Sequence, residues 1–79
     1  MIPKELRGLT ARELISALER DGFVLRRTTG SHRVYRHKDR RRVIVAMHAP
    51  GDTFPAKTLA SIFEGAHWSD ADLVRLDLL

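Results

Sequence analysis

The chain has 79 residues, no cysteine and a formal net charge of +4. A chain this short makes one domain, residues 1–79, and buries only about 60–65% of the surface its unfolded form exposes. With neither disulfides nor a thiolate zinc site, its core must come from the aliphatic residues with Phe23, Phe54, Phe63 and Trp68, and a soluble, cytoplasmic setting without a membrane partner is expected. Met1 to Leu9 lacks the apolar run of a signal peptide, and no segment approaches the roughly 20 apolar residues that span a bilayer.

Thr10-Ala11-Arg12-Glu13 has the capping-box pattern, and Ala11, Leu14, Ile15 and Leu18 recur at helical spacing, which predicts a helix from about Ala11 to Asp21 with Gly22 as its left-handed stop. The period then changes. Phe23-Val24-Leu25 through Thr28 reads as a strand, Thr29-Gly30-Ser31 as a turn, and His32 to His37 as a second strand. Lys38-Asp39-Arg40 turns again into a third strand, Arg42 to His48. Short turns between sequential strands make an antiparallel meander. Ala49-Pro50-Gly51-Asp52 breaks the sheet, Pro55 suits the opening turn of a helix carrying Leu59, Ile62 and Phe63, and Gly65 is expected to end it. Ser69 and Asp72 cap a short last helix with Leu73, Val74 and Leu76. The fold expected is α+β, with the helices on one face of a three-stranded antiparallel sheet and the other face open to a partner or nucleic acid.

Charge is concentrated rather than spread. From Arg26 to Arg42 eight basic residues meet one acid, Asp39, a segment of +7; the other six basic residues face nine acids, a remainder of −3. Such a field attracts polyanions, because each neutralised phosphate releases counterions, although an anionic membrane or an acidic protein answers to the same field. Arginine outnumbers lysine seven to one there, and its planar fork of donors suits phosphate. The phosphate-binding set is therefore Arg26, Arg27, Arg33, Arg36, Lys38, Arg40, Arg41 and Arg42.

Within this segment His32 follows the glycine turn. Gly30 allows a tight bend and a close approach of backbone to backbone, and Ser31 can bond the turn or a phosphate oxygen. An imidazole exchanges protons near neutral pH, and RNA carries its own nucleophile in the ribose 2′-hydroxyl, so cleavage needs deprotonation, alignment and charge stabilisation but no metal or other cofactor. From spacing alone His32 reads more readily as a turn histidine that contacts a phosphate or its own backbone without catalysis. Strand parity groups His32, Val34 and Arg36 on one face and Arg33, Tyr35 and His37 on the other. Because Val34 is the only aliphatic residue of the strand, His32 is expected at the helix-facing rim. Tyr35 reads as packing or as a base-stacking ring, His48 as a strand-end residue or a second acid–base group, and Trp68 as a cap hydrophobe or a base platform. The four histidines have no zinc-binding spacing.

Leu14 to Leu18, Asp21-Gly22-Phe23-Val24, Gly30-Ser31-His32-Arg33-Val34-Tyr35-Arg36-His37, the strand Arg42 to Val45, His48, and Thr58-Leu59 leading to Ile62 together resemble the HicA family, as does the tail from Trp68-Ser69 to Leu76. The resemblance implies the toxin half of a bacterial type II toxin-antitoxin pair. It further implies an mRNA interferase, an endoribonuclease that cuts mRNA and halts translation, with a fold like the double-stranded RNA-binding domain. In that family the histidine of Gly-Ser-His is catalytic, which places the role on His32, and the expected partners are mRNA and a HicB-like antitoxin. The alternative is a non-catalytic module for double-stranded or structured RNA, against which Lys57 stands alone at the start of the second long helix, where such domains grip phosphate. A third reading docks the basic hairpin onto an acidic protein.

Overall fold

The computed structural model describes Leu6 and residues 8–79; most of the amino-terminal stretch inspected above for a leader lies outside the described residues. The elements are α1 (Ala11–Arg20), β1 (Val24–Thr29), β2 (His32–Arg36), β3 (Arg42–Ala46), α2 (Ala56–Ala66) and α3 (Asp70–Arg75). The strands form one antiparallel sheet in the order β1-β2-β3. This is the expected α+β arrangement, helix, three-stranded meander and carboxy-terminal helices, with the topology of the double-stranded RNA-binding domain.

The capping box of α1 closes in both directions: the Thr10 hydroxyl accepts from the Glu13 amide at 3.2 Å and the Glu13 carboxylate accepts from the Thr10 amide at 3.0 Å. At its other end Gly22 takes φ 104°, the Phe23 amide donates to Leu18 and the Gly22 amide to Glu19, the paired bonds of a Schellman stop. A side chain at Gly22 would also strike the His37 ring, 2.8 Å from an ideal Cβ. α3 repeats the capping box with Ser69 and Asp72.

α2 ends differently from expectation. Gly65 does not stop it; the helix runs to Ala66, and His67 in the left-handed region (φ 56°) ends it, with the Trp68 amide donating to Phe63. Gly65 is needed for proximity instead, since an ideal Cβ there lies 3.0 Å from the Arg42 carbonyl oxygen.

The core lies between the helices and one face of the sheet. Leu14 and Leu18 of α1, Leu59, Ile62 and Phe63 of α2 and Leu73 of α3 are buried with Tyr35, Val43 and Val45 of the sheet. Tyr35 pairs with Val43 and is only 2% exposed. The helix-facing residue of β2 is thus Tyr35 and not Val34, because the ring offers the core far more apolar area than a valine. His32, Val34 and Arg36 consequently share the open face, which corrects the expected rim position of His32. Val24 and Ile44 are exposed on that face too, 51% and 43%.

Candidate nucleic-acid interface

The β1–β2 connection is two residues long, between the paired Thr29 and His32. Gly30 has φ 57° and Ser31 does not share the positive φ, the arrangement of a type II′ hairpin turn, whose twist matches that of the strands. His32 is the first residue after it, exposed, with Ala46 as its neighbour on β3. A Cβ added at Gly30 would meet nothing within 4 Å, so the turn is open to a ligand.

The arginines are sorted by the sheet's geometry. The pairing of β1 with β2 slips between Leu25 and Arg27, a bulge that adds Arg26 to the strand. The extra residue brings Arg26 and Arg27 together along a shallow depression of about 240 Å³ that Val34, Arg36 and Arg42 complete. Arg36 and Arg42 are cross-strand partners, and like charges directly opposed repel, so an anion between them relieves a cost already present. Lys38 and Arg40 are exposed in the β2–β3 turn.

Two members of the sequence-derived set lie elsewhere. Arg33 is half-buried on the helix side near the Tyr35 hydroxyl. Burial raises the Tyr35 phenol above its ordinary pKa, with Glu19 acting in the same direction and Arg33 against it. Arg41 is committed inside the protein. Its Nη1 donates to Asp21 at 2.9 Å and to the Ala66 carbonyl at 2.6 Å, its Nε donates to Asp39 at 2.8 Å, and its guanidinium lies 5.0 Å from the Phe23 ring centroid. Its assignment to phosphate is corrected accordingly: its Nε and Nη1 donors are engaged by two carboxylates and a carbonyl.

Asp21, which the sequence offers only within Asp21-Gly22-Phe23-Val24 and with no role for its side chain, organises this internal cluster. It accepts from Arg41, from Trp68 Nε1 at 2.9 Å and from Arg75 at 3.0 Å. Burial pushes its carboxyl up, but the donors of Trp68, Arg75 and Arg41 outweigh that and hold it below the ordinary aspartate range. Trp68 is therefore a buried packing residue with a satisfied indole, and Tyr35 likewise belongs to the core. His37 is fixed as well: its Nε2 lies 2.8 Å from the Asp21 carbonyl oxygen, its Nδ1 accepts from the Asp39 amide, and its ring meets Phe23 edge-on. Of the two histidines of the basic hairpin, one is fastened into the fold and the other, His32, is presented to solvent. Strand parity puts the two on opposite faces, and only tertiary structure shows which is fastened, since residues 21, 41, 68 and 75 share no spacing.

His48 is exposed just beyond β3, and its backbone amide donates to the Asp52 carboxylate. Among the described residues there is no group of three or more histidine, aspartate or glutamate side chains arranged to hold a metal, and no helix long and apolar enough to cross a membrane.

A basic hairpin carried on a one-sided α+β sandwich, with an exposed histidine at its tight turn, defines a small domain of the double-stranded RNA-binding type with a candidate polyanion site. The model of the family described as the HicA toxin of bacterial toxin-antitoxin matches residues 11–68, and the chain belongs to this family. The match runs from the first residue of α1 to Trp68 and leaves α3 outside it. A search of curated proteins finds no match.

Proposed function

We propose that the protein is a metal-independent endoribonuclease, the mRNA-cutting toxin of its pair, with His32 as the catalytic residue. The observation that carries this reading is the exposure of His32 at the open end of the arginine-lined sheet face, in a chain of a toxin family. In the reaction His32 takes the proton of a ribose 2′-hydroxyl. The 2′-oxygen bonds to the adjacent phosphorus while the bond from phosphorus to the 5′-oxygen breaks, the departing 5′-oxygen takes a proton from water, and the resulting hydroxide removes the proton from His32. The products are a 2′,3′-cyclic phosphate and a 5′-hydroxyl end. A positioned acid–base group supplies only about 10² to 10⁴ in rate, so alignment by Gly30 and Ser31 and charge stabilisation by Arg27 must contribute the remainder, while Arg36 and Arg42, four residues along the strand, hold a neighbouring phosphate. A HicB-like antitoxin that covers His32 and these arginines together would silence both binding and cutting.

The test compares RNA binding with RNA cutting in purified protein. His32→Ala is expected to bind within a fewfold of the parent and to cut about 100-fold more slowly or less, and the parent is expected to stay active in EDTA. Undiminished cutting by His32→Ala removes the assignment; binding without any cutting by the parent leaves an RNA-binding module instead.

A further inference from the structure

A second recess lies on the helix side of the sheet, at the end that carries His32. It is a groove of about 350 Å³ between α1 and the strands, with Arg12, Ile15, Ser16 and Glu19 on one wall and Arg33, Met47, His48 and Pro50 opposite. Its walls are fastened together: the Ala11 and Arg12 amides of α1 donate to the Asp52 and Pro50 carbonyls at 2.7 and 2.9 Å, and the Asp52 carboxylate accepts from the His48 and Ala49 amides. The shape is therefore preformed. Its charge is ordered as well. Arg12 adjoins Pro50 and His48 at one end, and Glu19 lies seven residues along α1, about 10 Å away at 1.5 Å per residue. The floor between them is apolar, from Ile15 and Met47. Neither Arg12 nor Arg33 forms an ion pair among the described residues, in contrast to Arg20, Arg41 and Arg75.

The groove is also close to His32. The Met47 amide donates to the Ser31 carbonyl, and His48 is two residues past Ala46, the cross-strand partner of His32, so at most about 7 Å of chain and one cross-strand step of about 5 Å separate them. One or two nucleotides bridge such a gap. We propose that this groove is a nucleotide subsite. It holds a phosphate at the Arg12 and His48 end and a base against Ile15 and Met47, and Glu19 selects a base with an exocyclic amino group. A carboxylate only accepts, so it favours the amino edges of adenine and cytosine over the carbonyl edge of uracil. This rests on the ribonuclease reading for its substrate class, and the experiment separates the two.

Cleavage of short RNAs by the full chain is measured for the parent, Arg12→Ala, Glu19→Gln and Lys57→Ala. Arg12→Ala is expected to raise KM about tenfold with kcat within about twofold, because the groove binds substrate away from the reacting phosphate. Lys57→Ala removes the same charge from the exposed face of α2 and is expected to leave KM within about twofold. Glu19→Gln is expected to narrow the parent's preference for adenine and cytosine over uracil. An Arg12→Ala KM within twofold of the parent's overturns the subsite while leaving the nuclease intact. If the parent cuts no RNA, the nuclease reading fails, and the subsite is decided by titrating the dinucleotide ApC into the protein. Shifts of the Ile15 and Met47 methyl resonances sustain it, and shifts confined to other residues, or none at millimolar ligand, overturn it.

Discussion

Asp21 shows how much of this small protein rests on one side chain. Its carboxylate, 8% exposed, is shared by Arg41, Trp68 and Arg75, joining the end of α1 to the β2–β3 turn, the end of α2 and α3. Asp21→Ala leaves the Trp68 indole N–H without its acceptor and the largely buried Arg41 paired with Asp39 alone, and is expected to cost about 3 kcal/mol, a fall in Tm of at least about 12 °C for a chain of this size. A fall below about 4 °C in thermal unfolding would show the cluster to be incidental. The pH dependence has a definite sign. Asp21 titrates below its ordinary value in the folded protein, so its stabilisation is complete above the unfolded pKa of about 4 and is lost as pH falls through the lower folded value. Asp21→Asn should therefore be least stable relative to the parent at pH 6, with the deficit shrinking below pH 4, as chemical unfolding at a series of pH values would reveal. None of this was legible in the chain: Asp21 reads as an acid before a helix-stopping glycine, and Arg41 as one more arginine of a basic run. Strand parity separates His32 from His37 but assigns their faces the wrong way round, because it takes Val34 rather than Tyr35 as the buried residue.

At the scale of elements the outcome follows from where the determining interactions lie. The ends of α1 and the start of α3 are set by residues within a few positions of one another, Thr10 with Glu13, Gly22 with Glu19, Ser69 with Asp72, and all were readable. The hairpin glycine was too. The covered face of β2 and the end of α2 were not, because each depends on a distant partner. Tyr35 wins the core against Val34 through the helices above it, and Gly65 is held beside Arg42 of β3 rather than at a helix stop. His67 accordingly carries a left-handed conformation that glycine adopts freely. His67→Gly is expected to stabilise the protein by about 1 kcal/mol, raising Tm by about 4–8 °C, because the relief of the left-handed strain exceeds the cost of glycine's added freedom in the unfolded chain. Gly65→Ala has the opposite expectation. The helix propensity gained, about 1 kcal/mol, is set against a methyl group pressed onto a backbone carbonyl that cannot rotate away, and overpacking of this kind costs about 1–3 kcal/mol. A net loss of Tm for Gly65→Ala together with a gain for His67→Gly would separate the two roles. Equal gains would mean that α2 recedes from β3 at no cost.

For the whole molecule, the count of basic residues overstates the field a ligand meets. The hairpin's +7 is divided by folding into an open-face group around the Arg27, Arg36 and Arg42 depression, an Arg33 on the helix side, exposed turn charges, and an Arg41 neutralised within the fold. Only cations that exchange counterions for phosphates enter the salt dependence of binding, which for single strands falls by about 0.7 in log K per log salt for each contact. Arg36→Ala and Arg42→Ala should each lower the slope for a single-stranded RNA by about 0.7, measured with His32→Ala so that the RNA stays intact. Arg20→Ala should leave it unchanged although it removes the same formal charge, because Arg20 pairs with Asp77 at 3.7 Å on the far side of the helices. Equal slope changes for all three would mean that the protein attracts RNA as a diffuse positive body, and the division of labour between the open face and the committed arginines would be lost. Distinct slopes would tie the binding surface to the face that carries His32. That is the condition for cutting at a fixed place on the strand rather than sliding along it without a productive alignment.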